Sequence, residues 1–490
     1  MNNEKDIIVG LDIGTTKIAC FIGQRGTGDK IKIIGFGKTE SNGVVRGVVK
    51  NIYETADSIK NAVHMASEQA GINVDEVYVG IAGQHIKSQK NMSTIPIPAD
   101  HNCIQPEDVN RLIQQQYSIM LNPGEDIIHV FPQDFIVDGE KLGPEIDPVG
   151  VAGRELKANF HIVTGNTMDL LSIHQSVKRA GLSIKGVVLE PIASSLAVLT
   201  ETDKEAGVAL VDIGGGTTDI AIFHEGVIRH TQVLPIAGNA ITNDIKEECK
   251  ILRSQAETLK TRFGSCLPQN VSENDIVSIP GDKRHQPREI SMRTLATIIK
   301  GRTESIIEQI NFEINKSGLA NKILSGIVLT GGGAQLRHIK DLIEFDTGID
   351  TSIELPNEHL DSDTDSEIIN TMYATGIGLV IYGFNELDEQ RRQEESSKRH
   401  DEPDDTDEKT EPYDKKEEMP HDEKKEEEMP SPFGDDDIER EEPQKPIIPE
   451  VDTKTRFGKD LGKKFMSAVD KYFTKVFSDN TTRKNGKDEI

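Results

Sequence analysis

The sequence contains no tryptophan, and aromatic residues make up only 4% of its 490 positions. Its four cysteines (Cys20, Cys103, Cys249 and Cys266) form no closely spaced pair. This argues against a disulfide framework or a zinc site and favours thiols in a reducing compartment. No apolar run reaches the roughly 18 residues that a membrane-spanning helix needs, and the N-terminus lacks a signal-peptide core. We therefore expect a cytosolic protein.

Basic surface is also scarce, since the net charge is −27. Residues 386–450 carry −16 of this charge, and the rest of the chain has no basic stripe that could neutralise phosphates. We expect no nucleic-acid partner. The 386–450 segment is rich in Glu, Asp, Lys and Pro and cannot bury a core, so it is predicted to be a disordered acidic linker.

One motif occurs twice in the sequence. DIGTT at Asp12–Thr16 is repeated as DIGGGTTD at Asp212–Asp219, which we interpret as an expanded copy. Each copy lies between short apolar runs, which predicts a strand, a tight turn and a second strand. Glycine lets backbone N–H groups approach a bound anion, and two acids beside a polyphosphate call for a hydrated cation such as Mg²⁺. One copy alone fits a hairpin turn equally well. Two copies favour a nucleotide site between similar halves.

Alternating strand and helix patterns predict an α/β fold. Residues 84–163 interrupt the first half and are predicted to form an inserted domain, and a second insertion is predicted near 241–309. LTGGGAQL at Leu329–Leu336 predicts a strand, a glycine turn and a helix that begins near Ala334. Such a junction also occurs as a plain strand-to-helix turn, but beside the paired motifs it favours a nucleoside-binding role.

In this order, the motifs resemble those of the actin, Hsp70 and sugar-kinase superfamily. The resemblance implies an actin-like duplicated ATPase fold that binds ATP and Mg²⁺, the metal being held through water by Asp12 and Asp212. It assigns nucleotide binding to Asp12, Gly14, Thr15, Thr16, Lys17, Asp212, Gly214, Gly215, Gly216, Thr217, Thr218, Asp219, Glu257, Lys260, Gly331, Gly332 and Gly333. An acid at the first connecting segment places the attacking water in relatives, which assigns that catalytic role to Glu190. ATP hydrolysis is expected to be slow at most, and whether it occurs stays open.

The insertion, with DPVGVAGREL followed by NFHIVTG, is similar to that of the FtsA family of bacterial cell-division proteins, although Glu155 separates Arg154 from Leu156. The resemblance divides the chain into subdomain 1A (1–83, 164–200 and 366–385), inserted subdomain 1C (84–163), 2A (201–240 and 310–365), 2B (241–309), the linker (386–450) and a tail (451–490). It implies filament formation, FtsZ binding through 2B and recruitment of later division proteins. The expected location is the division septum, on the cytoplasmic face of the inner membrane.

Apolar residues in the tail recur four apart, with lysines between them. This pattern predicts an amphipathic helix that binds an anionic membrane surface as a peripheral anchor. The predicted membrane contacts are Phe457, Leu461, Lys463, Lys464, Phe465, Val469, Phe473 and Phe477. Docking of the same helix on a protein surface is the alternative.

Two other functions within the superfamily stay open. A small-molecule kinase would need an acid within hydrogen-bond reach of a substrate hydroxyl, and the tail would have no use there. A pilus-assembly actin-like protein would share the first insertion, but it would be expected to lack the amphipathic C-terminus.

Overall fold

The described part of the chain begins with a strand, a turn and a second strand, which confirms the prediction from the first motif, and a third strand follows before residue 40. The computed structural model describes residues 6–26, 30–143, 146–280 and 287–400, with side chains as far as 391. The first elements are β1 (Ile7–Ile13), β2 (Lys17–Arg25), β3 (Ile31–Glu40), β4 (Val44–Val45), β5 (Val48–Val49), α1 (Ile52–Ala70) and β6 (Glu76–Ile81). Helix α1 starts where the Asn51 side chain accepts two backbone N–H groups, and it ends at Gly71 with a φ of 68°, as the sequence predicts.

Residues 87–166 form a separate antiparallel sheet with one helix packed on it. Its elements are β7 (Lys87–Pro96), α2 (Pro106–Gln116), β8 (Glu125–Val137), β9 (Glu140–Lys141) and β10 (Glu155–Asn166). The strand order is β7–β10–β8–β9, and the sheet has a hydrophobic core of its own around Phe160. The sequence predicts α2, β8 and β10 but not β7, because that strand is mostly polar and exposed and shows no clear apolar alternation.

The chain then returns to the first sheet before the second half begins. The returning elements are α3 (Thr167–Arg179), β11 (Ser183–Leu189), α4 (Glu190–Val198) and α5 (Glu201–Ala206). The second half contains β12 (Val208–Ile213), β13 (Thr218–His224), β14 (Val227–Leu234), α6 (Gly238–Cys249), α7 (Arg253–Phe263), β15 (Ile276–Ile279), β16 (Arg288–Ser291), α8 (Met292–Lys316), β17 (Ile327–Thr330), α9 (Ile339–Thr347), β18 (Thr351–Ile353) and α10 (Ala374–His400).

The two main sheets have the same topology. Their strand orders are β11–β6–β1–β2–β3 and β18–β17–β12–β13–β14. In each sheet the first hairpin pairs antiparallel, and its first strand also pairs parallel with a strand that follows a helix. This match confirms the α/β class and the duplication predicted from the repeated motif.

Helices α4 and α10 pack between the two sheets, and their apolar side chains share one core with strands of both halves. At Gly378 of α10 a Cβ atom would overlap the backbone of Ala193 in α4, so this close crossing requires glycine. The crossing brings Glu190 and Thr375, near the starts of the two helices, to the same cleft as the ends of β1 and β12.

Two sequence predictions need correction. No α-helix begins near Ala334: a short 3₁₀ turn spans Gly332–Gln335, and α9 begins at Ile339. Three consecutive glycines are poor helix formers, which delays the start of the helix. Helix α10 also runs on to His400, into the segment predicted to be linker, because Glu, Gln and Arg favour helix without any apolar pattern. The rest of the predicted linker and the tail lie outside the described residues.

Candidate functional site

The two glycine turns have the same geometry. Gly14 N–H donates to the Lys17 carbonyl at 3.0 Å, and Gly214 N–H donates to the Thr217 carbonyl at 2.9 Å. The flanking strands pair in the same register. The second turn is therefore not an expanded copy of the first: the two match position for position, so that Lys17 is equivalent to Thr217.

This equivalence sets two threonines of the first turn against two glycines of the second. A Cβ atom on Gly215 would lie 2.8 Å from Thr16 Oγ1, and one on Gly216 would lie 2.8 Å from Thr15 Cβ. Real side chains do not approach so closely. The turns therefore fit together because one contributes side chains where the other has none, and backbone N–H groups remain along the cleft between them.

Four acidic side chains line this cleft beside one lysine. Lys17 Nζ lies 2.7 Å from Asp12 Oδ2. Burial, and then repulsion from the neighbouring carboxylates, raises the pKa of Glu190 well above its ordinary value. Burial raises the pKa of Asp212 as well. Although burial lowers the pKa of Lys17, its acidic neighbours outweigh that effect and raise it. The cleft thus has an excess of negative charge, which a bound cation would relieve.

Asp219 is the most poorly satisfied of these acids. It is only 3% exposed, and its Oδ1 atom is buried without a hydrogen-bond partner. Burial, followed by repulsion from Asp212, raises its pKa well above the ordinary value. Across residues 6–400, apart from the undescribed gaps, no three His, Cys, Asp or Glu side chains are close enough to hold a metal ion directly. A hydrated Mg²⁺ held through water by Asp12 and Asp212 fits this donor set, since carboxylate oxygens and retained water are what Mg²⁺ prefers.

Two hydroxyl groups that the sequence analysis did not assign to the site hold Asp212. Ser194 Oγ donates to Asp212 Oδ2 at 2.8 Å, and Thr375 Oγ1 lies 3.3 Å from the same oxygen. Thr375 lies in Ala374–Gly376, which the resemblance makes the second connecting segment, but Ser194 has no motif that would single it out. Met372 also lines the cleft and was missed.

The third glycine cluster and the Glu257–Lys260 pair of α7 lie together in an adjoining part of the cleft. This part is lined by Gly332, Gly333, Glu257 and Lys260. Thr16 of the first turn and Gly214 and Gly215 of the second turn line both parts. Lys260 Nζ donates to Glu257 Oε2 at 2.9 Å. The two parts form one continuous cleft, which suits a ligand with a charged end and a larger uncharged end.

Every residue that the resemblance assigns to nucleotide binding lines this cleft, with one exception, Thr218. Thr218 is fully buried, and its hydroxyl donates to the carbonyl of Ile236 at 2.7 Å. Successive strand residues face opposite sides of a sheet, so Thr217 and Asp219 face the cleft while Thr218 faces away. Its assignment to the site needs this correction.

The eight predicted membrane contacts in the tail lie outside the described residues. Within the described ranges no helix is long and apolar enough to cross a membrane.

Comparison with known proteins gives three family-model matches. The model "Cell division protein FtsA" matches residues 209–378, "SHS2 domain inserted in FTSA" matches 83–164, and "Hsp70 protein" matches 169–233. The chain is 36% identical over 378 residues to the cell division protein FtsA of Pseudomonas aeruginosa, covering 77% of this chain and 89% of that protein. The Borreliella burgdorferi protein of the same name is 36% identical, with coverage of 77% and 91%. The Escherichia coli protein is 32% identical, with coverage of 78% and 91%.

Among solved structures, a chain of the "PilM-PilN type IV pilus biogenesis complex" aligns with a TM-score of 0.56 and 14% sequence identity. The alignment covers 77% of this chain and 98% of that one. At this identity the likeness concerns the fold alone, and it confirms the actin-like architecture.

Proposed function

Since this chain belongs to the FtsA family of cell-division proteins and has an actin-like fold, we propose that it binds ATP with Mg²⁺ between its two halves and anchors FtsZ to the membrane. The observation that carries the first part is the meeting of both glycine turns, the third glycine cluster and the Glu257–Lys260 pair along one cleft. Separate motifs that lie far apart in sequence would have no reason to converge if each were a plain turn.

Each group has a chemical role in this proposal. Backbone N–H groups of the two turns and the Lys17 ammonium would bind phosphate oxygens, and Asp12 and Asp212 would hold the hydrated Mg²⁺. The cation supplies charge neutralisation between the phosphates and the surrounding carboxylates. Gly331–Gly333 would lie against the nucleoside, with Glu257 and Lys260 beside its sugar and base.

Hydrolysis is proposed to be slow. Glu190 is the residue proposed to position the attacking water, but its pKa is raised well above normal by burial and by neighbouring acids. A raised pKa makes the ionised carboxylate a stronger proton acceptor but leaves a smaller fraction of it ionised. The proposal of slow hydrolysis therefore rests on the family resemblance, and slow turnover would suit a nucleotide that regulates assembly.

The adaptor role is proposed from family membership and the tail sequence. Subdomain 2B (241–309) would bind FtsZ, the chain would self-associate into filaments, and subdomain 1C (84–163) would contribute to subunit contacts and contact later division proteins. The tail helix would hold the protein peripherally on the cytoplasmic face of the inner membrane at the septum. Each basic residue near an anionic leaflet contributes about 1 kcal/mol.

The experiment is co-sedimentation of purified FtsZ with anionic liposomes. The full chain, a chain truncated after residue 450, and a full chain carrying Phe465→Glu and Phe473→Glu are compared at equal concentration. We expect the full chain to bring FtsZ into the liposome pellet and both altered chains to fail.

A matched control is Phe433→Glu in the linker, which adds one charge outside the proposed contact face and should leave recruitment unchanged. Equal FtsZ recruitment by the truncated and full chains would overturn the anchoring role, whereas the ATP-binding proposal would still stand on its own measurements.

A further inference from the structure

Asp212 is held by hydroxyl groups from both helices that pack between the halves. Ser194 Oγ donates to Asp212 Oδ2 at 2.8 Å, and Thr375 Oγ1 lies 3.0 Å from Ser194 Oγ. Ser194 belongs to α4 and Thr375 to α10, whereas Asp212 lies near the end of β12. All three are buried, and the exposed fractions of Ser194, Thr375 and Asp212 are 0%, 7% and 8%. One acid of the second half is thus tied to both connecting helices.

The order of donors follows from counting hydrogens. Each hydroxyl has one hydrogen, but the three groups make three close contacts, so one contact lacks a hydrogen at any moment. Thr375 Oγ1 lies 3.0 Å from Ser194 Oγ but 3.3 Å from Asp212 Oδ2. The shorter distances favour a chain in which Thr375 donates to Ser194 and Ser194 donates to the carboxylate. Hydrogen bonds in such chains strengthen one another when they are buried.

The second oxygen of Asp212 has different surroundings. Oδ1 lies beside Gly331, whose φ is 85° and where a Cβ atom would overlap this oxygen. Both Gly331 and Asp212 line the phosphate part of the cleft. The hydroxyl chain therefore acts on Oδ2, while Oδ1 packs against Gly331, where only a glycine leaves room for it.

We propose that Ser194 and Thr375 are positioning residues whose hydroxyl chain fixes the Asp212 carboxylate for the hydrated cation that accompanies the nucleotide phosphates. This inference rests on the proposed binding of ATP and Mg²⁺. Because the chain includes one residue from each connecting helix, it also makes the orientation of this acid depend on how α4 and α10 cross.

The test compares Thr375→Val, which keeps the shape but removes the hydroxyl, with Thr375→Ser, which keeps the hydroxyl. Ser194→Ala is the second variant. ATP affinity of each full-length protein is measured by calorimetry in excess Mg²⁺ and again in EDTA, and the ratio of the two is the Mg²⁺ gain. We expect Ser194→Ala to reduce this gain about tenfold, the size of a hydrogen bond to a charged group, and Thr375→Val, which removes a bond between neutral hydroxyl groups, to reduce it about fivefold. Thr375→Ser should stay within about twofold of the unaltered chain, less than half the free energy of one such bond.

A merely structural role predicts a different pattern. Thermal unfolding without nucleotide would shift, but affinities in Mg²⁺ and in EDTA would fall together and leave the gain unchanged, which would overturn the inference. The double variant Ser194→Ala with Thr375→Val should lose little more than Ser194→Ala alone, whereas additive losses would contradict a chain of donors. Absence of ATP binding by the unaltered protein would instead remove the proposed function, and the role of the chain with it.

Discussion

The two glycine turns share one backbone geometry but differ in the groups that contact their acidic side chains. In the first turn Lys17 neutralises Asp12 at 2.7 Å, and the residue that pairs with Asp12 across the hairpin is Ala19. In the second, the residue paired with Asp212 is another acid, Asp219, and hydroxyl groups take the place of an ammonium. The duplicated fold therefore supplies a symmetric frame, and the substitutions within it concentrate unneutralised charge in the second half.

The two turns also differ in the side chains that they direct toward each other. Thr15 and Thr16 project from the first turn toward Gly215 and Gly216 of the second, so each turn is incomplete without the other. Duplication with divergence has produced a complementary pair, and a ligand held between the turns would contact two different chemical surfaces. Five sets of substitutions test this asymmetry, beginning with the largest expected effect on stability.

Lys17→Met should have the largest effect on stability. It removes the ammonium beside Asp12, which is buried together with the other carboxylates of the cleft. Leaving one member of a buried pair uncompensated costs about 3–5 kcal/mol in free energy of unfolding, and the loss should lie near the lower end because the Lys17 side chain is 20% exposed. Urea unfolding of the nucleotide-free protein measures this. Asp12→Asn in the same chain should recover part of the loss, and a loss below about 0.5 kcal/mol, as for an exposed pair, would contradict a neutralising role for Lys17.

Gly216→Ala should push the two turns apart, because the new methyl group would meet the Thr15 side chain. Overpacking of this kind costs about 1–3 kcal/mol, and if the bound state bears all of this cost, ATP affinity falls roughly 5- to 150-fold. Calorimetric titration with Mg²⁺·ATP is the measurement.

The matched variant combines Gly216→Ala with Thr15→Gly, which exchanges the side chain between the turns and should restore most of the affinity. If Gly216→Ala alone binds ATP as well as the unaltered chain, the turns do not depend on this fit.

Asp219→Asn should make the nucleotide-free protein less sensitive to pH. A carboxyl group whose pKa is raised in the folded state stabilises the fold below the ordinary carboxyl pKa of about 4. That stability is lost as the pH rises through the raised value, since the folded chain then binds more protons than the unfolded one. The variant should therefore gain about 1–2 kcal/mol over the unaltered chain between pH 5 and pH 8, as expected for relief of an unsatisfied buried group.

Chemical unfolding at several pH values measures this gain. Asp57→Asn on the exposed surface of α1 is the control and should give a constant difference. If the stability difference between Asp219→Asn and the unaltered chain does not grow with pH, folding does not raise the pKa of the Asp219 carboxyl group.

Thr218→Val should have the smallest effect on ligand binding. Its hydroxyl donates to Ile236 on the far side of β13, so the change should cost about 1 kcal/mol of stability and leave ATP affinity within twofold. Thr217→Val, one residue earlier, should weaken ATP binding several-fold, since Thr217 lines the cleft. Equal effects of the two changes on affinity would contradict the assignment of faces.

The repeated motif was sufficient to predict the duplicated α/β fold, because strand, glycine turn and strand leave a local pattern. It also identified the residues that meet in the cleft, although whether they bind nucleotide stays a prediction. Ser194 could not be found in this way, since its contact with Asp212 depends on how α4 crosses the sheet. Thr218 was misassigned because motif membership ignores the alternation of faces along a strand. The 3₁₀ turn after Gly331 was missed because a run of glycines marks a junction without specifying the type of helix beyond it.

The most direct test of the account is ATP affinity with and without Mg²⁺, measured by calorimetry for the unaltered chain and for Asp12→Asn and Asp212→Asn. The account predicts that the unaltered chain binds ATP at least about tenfold more tightly in Mg²⁺ than in EDTA, the size of one charge-assisted interaction. Each substitution should abolish most of that gain, because in the proposed function both halves hold the same hydrated cation. Unchanged Mg²⁺-dependent affinity in either variant would contradict a clamp formed by the two turns together.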